Sequence, residues 1–227
     1  MTPLSKREQN RMNKQSRILD AAIKVFSQAG YSHTSMDRIA AEAGITKPTL
    51  YQYYPSKDIL FRTMMAAHRD VIMLPFESAG KVGLVEQLIE FAWAYADTVM
   101  RPDFLSLARL IIGEAHRFPD IGREYQESGP DKVLEGLMGF LERHRAQGAL
   151  DFEDAELAAQ DFWGLILSAP RNRALHIPDE QISHEKLARY VHNGIRVFLL
   201  AYSTNPESDL LQLTRSIAKL KVENDND

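Results

Sequence analysis

The sequence predicts an all-α fold, and three observations carry that expectation. Apolar residues recur at three- and four-residue spacing along most of the chain. No sustained alternation of apolar and polar residues appears, and no Asn-Gly or Asp-Gly hairpin turn. Proline and glycine fall at the joints of the periodic stretches, where helices stop and start.

The first helix is expected from about Arg11 to Ala29. Ile18, Ala22, Val25 and Ala29 share a stripe, Leu19, Ile23 and Phe26 lie beside it, and Gly30 is a natural stop. Residues 1–10 read as a solvated tail. The cations Lys6, Arg7, Arg11, Lys14 and Arg17 also suit a basic arm that reaches an adjacent minor groove.

A second, short helix follows Thr34 and Ser35, either of which can cap it, and Asp37 suits its positive end. Met36, Ile39, Ala40 and Ala43 form its apolar face, and Gly44 ends it. The residue before a proline disfavours helical geometry, so Pro48 is expected at the first position of a third helix that runs only to about Tyr54. Pro55 breaks it, and Ser56 can cap a fourth helix reaching about Leu74. Later helices are expected near 82–100, 103–116, 120–128, 130–147, 154–169, 184–203 and 207–220. Breaks fall at Pro75 with Gly80, Pro102, Pro119, Pro130, Gly148, Pro170, Pro178 and Pro206.

The chain of 227 residues is long enough for a substantial core, and its 44% hydrophobic and 26% charged content is that of a soluble globular protein. It has no cysteine, which removes disulfides, thiolate metal sites and cysteine nucleophiles and agrees with a cytoplasmic location. The first residues lack the apolar stretch of a signal peptide, and the most apolar run, 197–202, is too short to span a membrane. Charge is uneven. Residues 1–60 hold nine basic and five acidic side chains, a balance of +4; the remaining 18 basic and 26 acidic side chains give −8. A basic N-terminal quarter on an acidic body marks a localised polyanion-binding face.

Two short helices joined by a tight turn after a glycine form a helix-turn-helix, although such pairs also occur in helical proteins that never meet DNA. The composition of the third helix is unusual. Leu50 and Tyr54, four apart, share an inward face with Ile45, which leaves Thr49, Tyr51, Gln52 and Tyr53 largely outward. Each alone is ordinary surface. Together with Lys47 and Lys57 they supply hydroxyls and ammonium groups for phosphates, and Gln52 can pair with base edges in a major groove.

Residues 15–62, above all the run TSMDRIAAEAGITKPTLYQYYPSKDILF from Thr34 to Phe61, resemble the DNA-binding domain of the tetracycline-repressor (TetR) family. Phe26, Gly30, Tyr31, Ile39, Ala40, Ala43, Gly44, Leu50, Tyr51 and Lys57 match the family pattern, and Tyr54 departs from it where phenylalanine is usual. The resemblance implies that Lys47, Thr49, Tyr51 and Tyr53 contact phosphates or bases and that Gln52 faces the groove. It also implies that Ser35 and Lys57, each at the start of a helix, hold backbone phosphates.

The resemblance further implies a domain plan: an arm and three-helix DNA-binding domain over 1–60, a linking helix near 57–74, and a larger helical effector-binding and dimerisation domain over 75–220. Residues 221–227, polar and acidic, read as a disordered tail. Segments 157–169 and 194–202 are apolar around most of the helix, so each needs two buried faces. Burial inside one chain explains this as well as dimerisation does. The resemblance favours a homodimer, with Phe162, Ile166, Val191, Ile195, Phe198 and Tyr202 at its interface. A dimer also lets two recognition helices read a palindrome. A small-molecule effector is implied in the same way, with Trp93, Phe104, Arg109, His116, Phe118, Phe140 and Trp163 as candidate lining and operator release as the outcome. The effector would move the linking helix by its difference in affinity for two states.

Two rival functions stand beside this one. An enzyme would need a constellation that is missing: the seven histidines are scattered, with no H-E-x-x-H, P-loop, G-x-S-x-G or G-x-G-x-x-G, and no cofactor or metal is implied. A helical adaptor that binds only protein would use the exposed tyrosines as anchors. Its binding would lack the steep salt dependence of DNA association.

Overall fold

The computed structural model describes residues 5–77 and 83–224, the side chains of Glu77 and 219–224 excepted. The break expected at Gly80 and the last three residues of the acidic tail lie outside the described residues, as do residues 1–4 of the arm. The described elements are helical: α1 (Lys6–Ala29), α2 (Met36–Glu42), α3 (Lys47–Tyr53), α4 (Lys57–Met73), a 3-10 turn (Leu74–Glu77), α5 (Leu84–Val99), α6 (Pro102–Ala115), α7 (Pro119–Ser128), α8 (Pro130–Ala146), α9 (Ala155–His176), α10 (His184–Tyr202) and α11 (Pro206–Asn224).

Most boundaries follow local chemistry. Ser35, Thr46, Asp154 and Ser183 cap α2, α3, α9 and α10 by accepting hydrogen bonds from backbone N–H groups of the first turn. Pro102, Pro119, Pro130 and Pro206 open α6, α7, α8 and α11, where a missing N–H costs nothing. Gly30 and Gly44 take φ of +75° and +65°, which only glycine adopts without strain.

Three expectations fail for physical reasons. α1 begins at Lys6, not near Arg11, because Ser5 and Glu8 form a reciprocal capping box: Ser5 N donates to Glu8 Oε2 at 2.8 Å, and Glu8 N donates to Ser5 Oγ at 3.3 Å. α9 does not stop at Pro170 but runs to His176 with that proline buried in its interior. The ring removes the N–H that would meet the Ile166 carbonyl, and tertiary packing overrides the local rule. The stretch from 221, expected to be disordered, is helical through Asn224.

The chain divides into two compact units, Met1–His68 with Arg101–Pro130, and Arg69–Met100 with Asp131–Asp227. α6 and α7, which the sequence assigns to the second domain, thus pack with the N-terminal helices. Their apolar residues explain it: Phe104, Leu107 and Ile111 are buried in one core with Ile18, Phe26, Ile39, Leu50, Phe61 and Met64. Phe26, Tyr31 and Phe61 form its aromatic centre, with ring centroids 5.2–5.6 Å apart. The second unit has its own core from α5, α8, α9, α10 and α11. Within it Phe140 stacks on Phe76 at 4.0 Å, Phe76 on Phe91 at 4.6 Å, and Phe162 meets Phe198 edge-on at 5.0 Å. Among the described residues no helix is long and apolar enough to cross a membrane.

Candidate nucleic-acid interface

α3 is built to show its side chains outward. Thr46 accepts from Thr49 N at 3.4 Å and shares a hydroxyl–hydroxyl bond of 2.8 Å with Thr49, so the first turn is fixed without help from the core. Leu50 is fully buried and Tyr54, just past the helix, nearly so, with Ile45 half-buried beside them. That is the inward face the spacing predicts. Lys47, Tyr51 and Gln52 are exposed, while Thr49 and Tyr53 are half-buried. Tyr51 keeps 41% of its surface open to solvent, a large aromatic left unused by the fold.

The expected phosphate ligands fall into two kinds. Ser35 is exposed, and its oxygen accepts from Arg38 N at 3.3 Å. That cap uses a lone pair and leaves the hydroxyl proton to donate. Lys47 pairs with Asp37, Nζ to Oδ1 at 2.8 Å, and this hydrogen bond holds its ammonium above the usual lysine range. Both groups are exposed, so the pair exchanges readily for a phosphate.

Lys57 is placed differently from expectation. Its Nζ donates to the carbonyls of Tyr31 at 2.8 Å and Thr34 at 3.1 Å and lies 4.3 Å from the centre of the Tyr31 ring. Burial pulls its pKa down. The ammonium is spent on the turn between α1 and α2, so the structure makes Lys57 an internal clamp rather than a free phosphate ligand. The Tyr31 hydroxyl donates to Asp58, and burial together with that carboxylate raises its pKa.

Two further residues hold this region: Arg17, expected from the sequence only as a cation of the arm, and Glu114, which the sequence did not single out. Arg17 donates from its guanidinium to the Ala43 carbonyl at 2.9 Å, which ties α1 to the end of α2 beside Gly44. Glu114 of α6 accepts from Ser32 N at 3.4 Å and Ser32 Oγ at 3.2 Å, with His33 Nδ1 at 3.7 Å. The first sits 26 residues from its partner and the second 82, so no local pattern announces either.

The residues expected to line an effector pocket do not gather within one unit. Phe104, Arg109, His116 and Phe118 belong to the first unit, and Trp93, Phe140 and Trp163 to the second. Phe104 is a core residue against the His68 ring at 4.6 Å. Arg109 donates to Ser106 Oγ at 3.0 Å, and His116 and Phe118 are on the surface. Phe140 fills the second core, Trp93 stacks on His184 at 4.8 Å, and Trp163 meets Tyr95 edge-on at 5.3 Å.

Five of the six residues expected at a dimer interface are corrected, and Tyr202 keeps part of its surface. Phe162, Ile166, Val191, Ile195 and Phe198 have no surface exposed. They are consumed in packing α9, α10 and α5 within the chain, and a side chain with no surface has none to offer a partner. Tyr202 is half-buried and donates its hydroxyl to Asp161 at 2.6 Å. The apolar surface these helices leave open belongs to other residues: Leu157 and Leu165 on α9, Tyr190 and Leu200 on α10.

Comparison with known proteins agrees with this geometry. A family model described as bacterial regulatory proteins of the tetR family matches residues 18–64. One described as the C-terminal domain of AefR-like transcriptional repressors matches residues 86–204. The chain is similar to the HTH-type transcriptional regulator RutR of Escherichia coli (strain K12), 35% identical over 65 residues that make up 29% of this chain and 31% of that one. The match to YuxN of Bacillus subtilis (strain 168), 30% identical over 97 residues, covers 41% of this chain. The aligned stretches thus span only about a third of these two curated relatives, 33% of YuxN and 31% of RutR. Among solved structures, a putative tetR-family regulator from Mesorhizobium loti MAFF303099 superposes with a TM-score of 0.70 at 28% identity, over 85% of this chain and 98% of that one. The flavonoid-responsive regulator FrrA gives 0.61 at 33% identity over the same shares. With a tetR model on the helix-turn-helix and a repressor-domain model on more than half of its length, the chain belongs to the tetR family of bacterial regulatory proteins.

Proposed function

We propose that the chain is a ligand-responsive repressor that binds a palindromic DNA operator as a homodimer and releases it when a small molecule binds the second unit. One observation carries the DNA-reading part. α3 has seven residues, buries only Leu50, and turns Lys47, Tyr51 and Gln52 to solvent. A helix that short gains little from the core, so its exposed side chains are there for a partner. Lys47, Thr49, Tyr51, Tyr53 and Ser35 supply the donors for phosphates, and Gln52 reads base edges.

One such helix reads few base pairs, and a two-fold pair sets two of them about 34–36 Å apart on successive grooves. The open apolar residues Leu157, Leu165, Tyr190 and Leu200 support an interface formed by α9 and α10. The repressor-domain match over residues 86–204 supports effector control, and the flavonoid response named for FrrA supports a small organic effector. We assign Trp93 and Trp163, half-buried on the second core, as the large side chains that would contact it. The effector acts only through its affinity difference between the bound-competent and released arrangements.

Salt-titrated binding to the region upstream of the chain's own gene tests this reading. Lys47→Ala is expected to lower affinity on all sequences and to reduce the salt slope by about 0.9 for each protomer engaged, the value for one phosphate. Gln52→Ala is expected to change which sequence is preferred, by about 1–3 kcal/mol of discrimination. A flat salt response of the wild type would instead favour an adaptor that binds protein.

A further inference from the structure

We infer that the N-terminal half of α1 is a second DNA-contacting element, a rigid cationic rail that engages backbone phosphates beside those met by α3. This rests on the DNA-binding reading above.

The segment is a helix without a core. No residue from Ser5 to Arg17 is buried, yet α1 starts at Lys6 and is fixed there by the Ser5–Glu8 capping box and by a hydrogen bond from Gln9 Nε2 to Asn13 Oδ1 at 3.1 Å. The stretch of twelve residues from Lys6 to Arg17 rises about 18 Å and buries none of them, with only Lys14 and Gln15 half-covered and Arg17 at its end tied to the Ala43 carbonyl. A helix gains most of its stability from a buried face, so a solvated extension calls for another use.

Its charges are arranged. At 3.6 residues per turn Arg7, Arg11 and Lys14 fall within an arc of about 60°, spaced about 6 Å and 4.5 Å along the axis. Glu8 lies off that arc. Elsewhere in the same unit Lys24, Lys47 and Arg62 each face a carboxylate. Among the described residues no ion pair or hydrogen bond holds the side chain of Arg7, Arg11 or Lys14. Arg7 also sits in the first turn, at the positive end of the helix dipole, where a cation is unfavourable until an anion arrives.

Position ties the rail to the DNA-reading helices. Arg17, one turn after Lys14, bonds the Ala43 carbonyl and lies 3.2 Å from where a Cβ on Gly44 would sit, in the turn that leads to α3. The rail therefore rises from beside the helix-turn-helix turn and continues the same cationic surface. The occupant that fits three unpaired cations on a rigid rod continuous with a DNA-reading turn is the phosphate backbone of the same duplex. The contact is sequence-independent, since guanidinium and ammonium groups on phosphate carry no base information.

The test uses the full chain and a random-sequence duplex, so that no operator need be known. For wild type, log affinity should fall steeply with log salt. In R7A/R11A/K14A the slope should be shallower by about 2.7 for each arm engaged, about 0.9 per phosphate. Alanine keeps the arm helical, which circular dichroism checks. R7K/R11K/K14R should restore the slope. R7E should bind DNA more weakly with an unchanged or higher thermal midpoint, because it suits the helix dipole; a merely structural arginine would lower both or neither. Equal slopes for wild type and the alanine variant, or a charge-preserving variant that behaves like alanine, overturn the rail while the reading of α3 stands. A wild type that shows no salt-dependent binding overturns the reading of α3 itself.

Discussion

Gly194 of α10 lies directly on the backbone of Leu165 in α9. A Cβ at Gly194 would sit 2.7 Å from the Leu165 carbonyl carbon and oxygen and 2.8 Å from Ile166 Cα. Backbone cannot swing aside as a side-chain tip can, so Gly194→Ala forces α9 and α10 apart. The expected loss is about 1–3 kcal/mol of stability, the usual cost of overpacking. Gly113→Ala is the control, because nothing lies within 4 Å of its added methyl. It should be neutral or gain up to about 1 kcal/mol from helix propensity. Chemical denaturation of both variants checks the pair.

Neighbouring positions on α10 should separate folding from assembly. Phe198 is fully buried, and Phe198→Ala is expected to cost about 3–5 kcal/mol of stability in the single chain. Leu200 is 50% exposed, and Leu200→Glu should leave thermal stability at low concentration nearly unchanged while shifting sedimentation toward monomer and weakening operator binding. If L200E sediments as wild type does, α10 is not part of the interface.

Lys57→Met keeps the stem over the Tyr31 ring and removes the ammonium. Two carbonyls, Tyr31 and Thr34, then lose their donor. Charged hydrogen bonds of this kind contribute about 1.5–3 kcal/mol, so a clear fall in the thermal midpoint is expected. A lysine that served only phosphate would leave the free protein's midpoint where it was.

His68 links stability to acidity. Its ring packs edge-on to Phe104 at 4.6 Å, and Nδ1 lies 2.8 Å from the Met64 carbonyl, which only accepts, so Nδ1 carries the proton. Burial lowers its pKa and Arg101 adds to that, against the opposing carbonyl bond, Asp103 and Asp20. With the folded value below the unfolded value of about 6.5, the unfolded chain binds the proton first as pH falls. Stability is therefore lost on acidification from about 6.5 down toward the folded value. Thermal midpoints across that range should fall more steeply for wild type than for His68→Leu. Parallel curves would show that His68 takes no part.

What could be read from the residues alone divides by range. α2, α3 and α4 were legible because Ser35, Gly44 and Ser56 act within one turn of themselves, although Pro48, expected first in α3, falls second after Lys47 because Thr46 caps the helix. The capping box at Ser5 and Glu8 is equally local, and it was hidden only by the polarity of its surroundings. Pro170 misleads because a local penalty was overruled by burial. Phe162, Ile195 and Phe198 show the limit of periodicity: it says that a face is covered, not whether the cover is the same chain or another. Lys57 was read as a phosphate ligand, but the direction of its ammonium depends on carbonyls 23 and 26 residues earlier in the chain.

The turn from Gly30 to Thr34 is gripped from every side. Glu114 of α6 holds Ser32, Lys57 of α4 holds Tyr31 and Thr34, and the Thr34 hydroxyl donates back to the Gly30 carbonyl at 2.7 Å. So fastened, the link from α1 to α2 has three separate ties that must all break before it can bend, which makes it one of the least yielding stretches of the first unit.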